Sequence, residues 1–298
     1  MSLTKVDKQL KDHLDYIFEV DQLIITRKFY DLMKFTNFSL YKLESSGALE
    51  LILRHNNRRI TKHIIDNMIF INYIEDKHGW AFIHSLIAYS GDLLLIKYFV
   101  RKYHIDLETT TKRGGRSIHI ACEFNRIENV KFLIDEGVDL EAENIRGYKP
   151  IHLVCQFGSL EMLQLLINRS FVDFPFVEEP DKKSRVDLEA ECEYATRPIH
   201  VICRFGTLEM IQFLVNKGVN LEAATDWGWR PIHAVCHYQN YETIKYFLSK
   251  NINLTTKINR YNDAIAEYTV KDLLRMNDKL SPEQKEELLE IISKRENE

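Results

Sequence analysis

Apolar positions follow a helical period along most of the chain, in short segments that polar turns separate. Near the N-terminus they fit the 3.6-residue period twice, at Leu10, Leu14, Ile17 and Phe18 and again at Ile25, Phe29, Leu32 and Met33. These two patterns predict helices over about 3–19 and 22–35. Segments with the same spacing follow further along, for example LEMIQFLVNKGV (208–219). We therefore expect a chain built from short amphipathic helices.

From Asp76 to about Thr256 the helical segments belong to one recurring phrase. Three copies are close to one another: GYKPIHLVCQFGSLE (147–161), PIHVICRFGTLEM (198–210) and GWRPIHAVCHYQNYE (228–242). Two looser copies precede them, GWAFIHSLIAYSGDLL (79–94) and GRSIHIACEFNRIE (115–128). The copies place their histidines 35, 33, 48 and 33 residues apart, at His84, His119, His152, His200 and His233. A period near 33 residues indicates an array of stacked units.

Each copy predicts the same succession of elements. A turn glycine comes first, at Gly79, Gly114, Gly147 or Gly228. An inner helix follows across I-H-x-x-C, and in three copies a proline begins it. An outer helix comes next and is expected to end at Gly137, Gly218 or Asn251, because these residue types tolerate a left-handed backbone. A hairpin-like finger then leads to the next copy.

The repeated phrase resembles the ankyrin repeat, with Ile in place of Leu and Cys in place of the second Ala. The resemblance covers about 180 of the 298 residues. It implies an all-α fold, namely an ankyrin repeat α-solenoid with short β-hairpin-like fingers and degenerate helical capping ends. The tails GVDLEAE (137–143) and GVNLEAA (218–224) are also similar to the expanded ankyrin repeat proteins of some parasitic single-celled eukaryotes.

The pattern divides the chain into four parts. An N-terminal helical segment, 1–39, precedes a degenerate N-capping repeat, 40–75. Such a cap is expected because a terminal repeat stacks on one side only, so that atypical elements must close the other side. Five ankyrin repeats occupy 76–256, and residues 257–298 form a C-terminal capping repeat and helix. The alternative is that residues 1–75 form a separate domain.

Two local features depart from the regular array. The 48-residue step contains 15 extra residues, SFVDFPFVEEPDKKS (170–184), where the third outer helix meets its finger, and insertions in repeats fall in loops. Near the C-terminus, TVKDLLRM (269–276) predicts a last inner helix. Ser281, Pro282 and Gln284 predict the start of a final helix to about Ser293, with a reciprocal capping box between Ser281 and Gln284.

Composition narrows the class of partners and the compartment. The formal net charge is -4, which gives the whole chain no electrostatic case for binding nucleic acid. No run of about 18 apolar residues predicts a membrane span, and the N-terminus lacks the apolar core of a signal peptide. We expect a monomer in the cytoplasm, with the nucleus as a second possible compartment and non-classical export left open.

Four of the five cysteines share one position, three residues after a repeat histidine: Cys122, Cys155, Cys203 and Cys236. Equivalent positions in packed helices lie about 10 Å apart, which is too far for a disulfide or a shared zinc ion. They are predicted to be small buried thiols. Cys192 is out of register, and we expect it in a loop as the thiol that reacts first.

Neither the histidines nor any motif predicts catalysis. The histidines occupy equivalent positions in different repeats, so they form a ladder and do not converge on a metal. The phrases GxxxxGK[ST], GxSxG and HExxH are absent. We therefore expect no enzyme activity, catalytic residue, cofactor or metal. The ankyrin resemblance implies a structural histidine whose ring bonds backbone groups and ties one finger to the next.

The resemblance also implies that a protein partner binds the concave face, formed by finger tips and exposed inner-helix positions. The candidate contacts are finger residues with aromatic or basic side chains: Trp80, Lys112, Arg113, Arg146, Tyr148, Tyr194, Trp227 and Trp229. No packing role for these rings is visible in the sequence. Phe124, Phe157, Phe205 and Tyr238 share one inner-helix position, and we expect them to stack between repeats. The basic candidates favour a partner with an acidic, apolar segment.

These observations predict a non-enzymatic protein-protein interaction scaffold or adaptor. The alternative is a targeting or regulatory subunit of an enzyme assembly, such as a ubiquitin ligase adaptor, with the N-terminal helical segment as a second docking module. A third interpretation, a catalytic N-terminal segment, has no nucleophile and base to support it.

Overall fold

The computed structural model describes residues 53–54, 58, 61–62, 79–169, 186–261 and 264–297. The helices expected over 3–19 and 22–35, most of the expected N-capping repeat and the insertion 170–184 lie outside these residues. The four-part division of the chain therefore stays a prediction. The chain forms two compact units, Met1–Ala121 and Cys122–Glu298, with the boundary inside one helix.

The described part of the first unit contains one helix pair and the start of the next. Its elements are α1 (Phe82–Ser85), which continues as a π-helical turn (Leu86–Ser90), then α2 (Leu93–Tyr103) and the beginning of α3 (Ser117–Glu123). The rings of Phe82 and Phe99 meet edge to face, with centroids 5.3 Å apart, and both side chains are fully buried. This aromatic contact joins α1 to α2.

Helix α2 contacts two described residues that precede it in the chain, Arg58 and Lys62. The Asp92 carboxylate accepts the backbone N–H of Leu94 at 2.9 Å, which caps the helix. The guanidinium of Arg58 pairs with the same carboxylate. The ammonium of Lys62 lies 4.0 Å from the ring centroid of Tyr98 on α2. These described positions of the 53–62 region thus pack on the outer helix of the first repeat.

The second unit continues the alternation of inner and outer helices. After α3 it contains α4 (Ile127–Asp135), α5 (Pro150–Phe157), α6 (Leu160–Arg169), α7 (Pro198–Phe205), α8 (Leu208–Asn216), α9 (Pro231–Tyr238), α10 (Tyr241–Leu248), β1 (Lys257–Tyr261), β2 (Ala264–Thr269), α11 (Val270–Met276) and α12 (Pro282–Glu296). Helices α5, α7, α9 and α11 pack side by side as one layer. Helices α4, α6 and α8 pack side by side as a second layer.

The expected boundaries of the helices are largely confirmed. Prolines begin α5, α7 and α9, where the first helical N–H needs no partner. Gly137 and Gly218 lie just beyond the ends of outer helices α4 and α8, as expected, with left-handed φ values of 77° and 82°. Asn251 is not left-handed, so the expectation for the fifth repeat is wrong. There the Ser249 hydroxyl donates to the Tyr246 carbonyl at 2.7 Å and helps to end α10.

The C-terminal region adds a feature that the sequence pattern did not predict. Strands β1 and β2 form an antiparallel two-stranded sheet with an irregular register between Ile258 and Arg260. Helix α11 and helix α12 follow as expected. The Ser281 N–H donates to Gln284 Oε1 at 3.0 Å, and the Gln284 N–H donates to Ser281 Oγ at 3.3 Å, which confirms the capping box. The expected helical solenoid architecture is confirmed with this small sheet added.

Candidate functional site

The repeat histidines connect each inner helix to the following finger. His200 Nδ1 accepts the backbone N–H of Arg197 at 3.1 Å, and its Nε2 lies 2.9 Å from the Ala223 carbonyl oxygen. Because a carbonyl can only accept, Nε2 must carry the proton. The same pair of bonds, all at 2.9–3.1 Å, occurs at His84, His152 and His233. The implied structural role of these histidines is confirmed.

Burial keeps these imidazoles neutral. Desolvation lowers the pKa of His152 and of His233 to about 4, and it also lowers the pKa of His200. The bonds to backbone carbonyls act in the opposite direction and are the weaker influence. A neutral ring with one donor and one acceptor matches the two backbone groups that face it. These histidines are therefore occupied in holding the fingers and have no nitrogen left for a ligand.

A second repeated device joins successive fingers through a glutamate. Glu189 Oε2 pairs with the Arg197 guanidinium at 2.8 Å, and its Oε1 accepts the backbone N–H of Asn220 in the next finger at 2.7 Å. Glu141 and Glu222 make the equivalent pairs of contacts. This glutamate clamp was missed from the sequence, although a glutamate stands eleven residues before each of the three histidines in these repeats.

Backbone hydrogen bonds link the finger tips of the second unit. The Glu193 N–H donates to the Arg146 carbonyl at 2.9 Å, and the Asp226 N–H donates to the Tyr194 carbonyl at 3.0 Å. The Asn259 N–H donates to the Trp227 carbonyl at 2.9 Å, so β1 continues the series. Main-chain hydrogen bonds therefore hold the tips of successive fingers beside one another.

The predicted contact residues fall in both units. Trp80, Lys112 and Arg113 belong to the first unit, where Lys112 and Arg113 are exposed. Trp80 is half-buried and stacks on Tyr89, with ring centroids 6.0 Å apart. The remaining candidates, Arg146, Tyr148, Tyr194, Trp227 and Trp229, belong to the second unit.

Several of the candidates in the second unit already contact other side chains of the chain. Arg146 pairs with Glu193, and its guanidinium carbon lies 5.4 Å from the Tyr148 ring centroid. Tyr148 is half-buried, and burial raises the pKa of its phenol. The rings of Tyr194 and Trp227 lie 4.4 Å apart, and Tyr194 is exposed. Tyr194 is thus the exposed aromatic candidate, and its ring lies against the half-buried Trp227 at the tip of the neighbouring finger.

Trp229 differs from this pair because it packs on an inner helix. Its half-buried ring stacks on Tyr238, with centroids 6.2 Å apart, and meets His233 and His237 edge to face. The expectation that finger rings have no packing role is therefore wrong for Trp229. The Trp229 side chain is long enough to reach from the finger to the inner helix that follows it. The repeat period identifies its position in the finger but does not indicate this contact.

The expected stacking of the inner-helix phenylalanines is also wrong. Phe157 and Phe205 are the last residues of α5 and α7, and they are 43% and 48% exposed. Met276, the last residue of α11, is 43% exposed, and Phe124 beyond α3 is 37% exposed. The side chains of Phe157, Phe205 and Met276 therefore point past the layer and do not insert into it, whereas Tyr238 is half-buried against Trp229. We call Phe157, Phe205, Tyr238 and Met276 the inner-helix stripe.

One cation lies within the inner-helix stripe. The guanidinium carbon of Arg204 is 4.9 Å from the ring centroid of Phe205 and 4.7 Å from that of Tyr238. Arg204 is exposed, and no carboxylate of the described residues lies within ion-pair distance of it. Because the rings hold the plane of the guanidinium, its N–H edge is available to a partner.

All five cysteines are free and buried. The in-register thiols are confirmed as buried groups, and desolvation raises the pKa of each above its ordinary range. Cys192 corrects the expectation of an open loop thiol, because it is only 8% exposed and donates to the Thr196 carbonyl at 3.2 Å. Burial raises the pKa of the Cys192 thiol to about 11. A thiol held in this way is a poor nucleophile at neutral pH.

The described residues contain neither a metal-binding cluster nor a membrane-spanning helix. Across residues 79–169, 186–261 and 264–297 and the five earlier described positions, no three His, Cys, Asp or Glu side chains are placed to hold a metal. Within that same part of the chain, no helix has the length and hydrophobicity that crossing a bilayer requires.

Paired helices, hydrogen-bonded fingers and one backbone-binding histidine per repeat define a helical repeat protein. Two family profiles identify the kind of repeat: "Ankyrin repeats (many copies)" matches residues 118–167, and "Ankyrin repeats (3 copies)" matches residues 170–258. Residues 118–167 and 170–258 therefore match ankyrin repeats. The narrower similarity to proteins of parasitic eukaryotes stays a prediction.

The fold also occurs among solved structures. One similar chain belongs to the structure of the predatory endopeptidase Bd0816 from Bdellovibrio bacteriovorus in complex with the immunity protein Bd3460. It shares 17% sequence identity with a TM-score of 0.54, over 68% of the present chain and 98% of that chain. At this identity the similarity concerns the fold alone. The search of curated proteins gave no significant match.

Proposed function

We propose that the chain is a non-enzymatic scaffold or adaptor that binds a protein partner through the finger and inner-helix face of residues 122–298. The observation that carries this proposal is the location of exposed apolar side chains. In the described residues of the second unit, every exposed large hydrophobic side chain lies on a finger or at the end of an inner helix: Phe124, Ile145, Phe157, Tyr194, Phe205 and Met276.

The outer layer of the same unit provides the contrast. Large apolar residues of α4, α6 and α8 are turned inward, among them Leu133, Leu166 and Leu214, which are fully buried. Apolar surface that gathers on one face of a repeat array is a feature of interaction sites, and aromatic rings supply much of the binding energy in such sites. Ankyrin repeats in general bind proteins, and they are typically interaction modules without enzyme activity.

The residues proposed for the contact differ in part from those predicted from the sequence. The exposed Tyr194 and the half-buried Trp227 beside it stay in the proposed face, and Phe157 and Phe205 join them. Trp229 supports the face from beneath through Tyr238. The contributions proposed for Trp80, Lys112, Arg113, Arg146 and Tyr148 are untested. The monomeric state, the cytoplasmic location and the absence of nucleic-acid binding also stay predictions.

The test compares the full chain with two variants in quantitative affinity purification from its source cells. Replacing Phe157 and Phe205 by Ser should reduce recovery of the specific partner about 10-fold or more, since hot-spot rings contribute about 2 kcal/mol or more. Leu94→Ser is the matched control, because Leu94 is an exposed apolar residue on outer helix α2. Both variants should keep the melting temperature of the parent. Unchanged recovery with the phenylalanine variant refutes the proposed face.

The alternative role, a targeting or regulatory subunit of an enzyme assembly, depends on the N-terminal helical segment as a second docking module. That segment lies outside the described residues, so the role stays a prediction. Comparing the partners of the full chain with those of residues 76–298 separates the two roles. An adaptor that uses only its repeats retains the same partners in both.

A further inference from the structure

We infer that the turn between α3 and α4 opens locally, together with the first turn of α4, while the rest of the second unit stays folded. We call residues 124–129 the α3–α4 corner. A missing helix cap, a buried amide without a hydrogen bond and a left-handed backbone all occur within this corner. The inference is independent of the proposed function, because its test requires no partner.

Among the outer helices that the structure describes, only α4 begins without a side-chain cap. Before each of the others, an Asp, Ser, Thr or Asn side chain accepts a backbone N–H of the first turn: Asp92, Ser159, Thr207 and Asn240. Arg126 occupies this position before α4 and makes no cap hydrogen bond, because its guanidinium has no acceptor atom. Loss of a cap shifts the start of a helix towards the open state about 5-fold.

Asn129 adds a buried amide without a partner to the same helical turn. This residue is 1% exposed, and neither its Oδ1 nor its Nδ2 has a hydrogen-bond partner among the described residues. The equivalent position, three residues after the cap, holds the buried apolar residues Met162 in α6 and Met210 in α8. A buried amide that lacks its hydrogen bonds favours any opening that lets water reach it.

The backbone of the turn also differs from that of the three repeats that follow. Asn125 has a φ of 52°, whereas the equivalent residues have φ values of −82°, −80° and −102°, at Gly158, Gly206 and Gln239. Asn tolerates the left-handed region better than most residues do, but it adopts that region at a cost that glycine does not incur. The residues at 125, 126 and 129 therefore all favour the open state of the corner.

The opening has a consequence for one residue of the proposed face. Phe124 is 37% exposed and directly precedes Asn125, so its ring moves when the corner opens. Phe157, by contrast, precedes a turn whose outer helix is capped by Ser159. Segments that open at low cost are those that adapt most readily to a ligand. The corner thus makes Phe124 an adjustable residue beside the fixed Phe157.

Native-state amide hydrogen exchange, measured by NMR on the full chain, tests the inference. The matched probes are amides that donate to the carbonyl of their own cap residue and belong to fully buried residues: Val130, Leu163, Ile211 and Ile244. After correction for intrinsic rates, Val130 should exchange about 10-fold or more faster than the other three. Dilute urea should change its rate little, because a local opening exposes little surface. Equal protection of the four amides overturns the inference.

Two substitutions restore what the other outer helices have. Arg126→Thr introduces the cap residue of α8 and should slow exchange at Val130 about 5-fold. Asn129→Met introduces the residue of α6 and α8 and should slow it about 10-fold or more, because it removes both unpartnered atoms. Lys131→Met is the matched control, since Lys131 is exposed on α4 and should leave the rate unchanged. Slowing by either substitution alone supports the inference, and slowing by neither overturns it.

Fraying from the N-terminal end of the repeats is the competing cause of fast exchange at Val130. The Ile96 amide of α2 distinguishes the two causes, because it donates to the Asp92 carbonyl at 3.0 Å and Ile96 is fully buried. We expect Ile96 to exchange more slowly than Val130. Equal or faster exchange at Ile96 assigns the opening to end fraying and overturns the corner as its origin. None of these results affects the affinity purification that tests the proposed function.

Discussion

Ala195 occupies the finger position that glycine holds in neighbouring fingers. Its φ is 52°, close to the values of 73° at Gly147 and 76° at Gly228. The left-handed region brings the Cβ of an L-residue close to its own backbone, which costs about 1 kcal/mol relative to glycine. Two hydrogen bonds to the adjacent fingers hold the backbone here, one from the Glu193 N–H to the Arg146 carbonyl and one from the Asp226 N–H to the Tyr194 carbonyl.

The full chain with Ala195→Gly should therefore be more stable than the parent by about 0.5–1 kcal/mol, since relief of the backbone strain outweighs the greater flexibility of the unfolded chain. Gly147→Ala should act in the opposite direction. There φ is 73°, and an added Cβ would lie 3.2 Å from the Cα of Cys192. Urea unfolding of both variants measures the two changes. A loss of stability in Ala195→Gly would show that no strain is stored at this position.

At the residue scale, the sequence identified which positions are equivalent between repeats but assigned several packing roles incorrectly. The phenylalanine after I-H-x-x-C-x is visible in the repeat, yet only the structure shows that it ends the helix and faces outward. Trp229 and Trp227 are two residues apart in one finger, yet one packs on Tyr238 and the other on Tyr194. Periodicity identifies equivalent positions, whereas exposure depends on how far each side chain reaches.

The histidines make the connection between inner helix and finger dependent on pH. An unfolded histidine has a pKa near 6.5, whereas burial holds the folded pKa of His152 and His233 at about 4. Between these values the unfolded chain binds protons that the folded chain does not. The stabilisation is therefore complete above about pH 6.5 and is lost as the pH falls towards 4. Each histidine accounts for about 3 kcal/mol over this range.

Urea unfolding at several pH values between 7.5 and 4.5 should accordingly show a steep fall in the free energy of unfolding. In His233→Gln the overall stability is lower, but the fall with pH should be smaller, because one titrating group is gone. His104→Asn is the control, since His104 is exposed and Asn tolerates its left-handed φ of 50°. An unchanged pH dependence in His233→Gln would contradict the assignment.

At the scale of elements, helices were predictable where local signals begin or end them. Prolines at the first helical position and the Ser281 capping box gave the correct starts. The hairpin of β1 and β2 was missed because the segment after Thr256 was interpreted only as the end of the repeats. Its sequence did contain a signal, namely Asn262-Asp263 between segments that hold Ile258, Tyr261 and Ile265. The π-helical turn after α1 had no signal.

At the scale of the whole molecule, the C-terminal end of the repeats is closed by α12. Leu288 and Ile292 of this helix are fully buried. Its Arg295 guanidinium donates to the Leu248 carbonyl, and to the Lys250 carbonyl at 2.9 Å, beyond the end of α10. The last repeat would otherwise expose the surface that a further repeat covers in the middle of an array.

Ile292→Ala should therefore destabilise the full chain by about 2–5 kcal/mol, the usual range for removing a fully buried large aliphatic side chain. Ile291→Ala is the matched control, since Ile291 is the same residue type on the same helix but only partly buried. Thermal and urea unfolding of the two variants provide the comparison. Equal effects would mean that α12 contributes no specific cap.

The repeat array as a whole followed from the sequence, because five copies of one phrase over a nearly constant period specify stacking without any knowledge of side-chain contacts. The sequence predicts the structure of the array's ends less clearly, because a terminal element does not need the same residues as the internal repeats. The contacts of Arg295 with carbonyl oxygens, for example, depend on an approach between α12 and α10 that no repeat spacing encodes.

The glutamate clamp has a consequence for protein engineering. Glu189 and Glu222 each accept a backbone N–H from a residue 31 positions later in the chain, Asn220 and Asn253. Glu141 accepts the N–H of Asp187, which is 46 positions later. In all three bonds the nitrogen-to-oxygen distance is 2.9 Å or less. The clamp therefore closes equally well over 15 additional residues. Loop closure grows costlier by only about 0.6 kcal/mol for each doubling of length. The junction at 170–184 is thus a natural insertion point, where an epitope, a reporter or a second binding module can be placed while the fingers on either side keep their register.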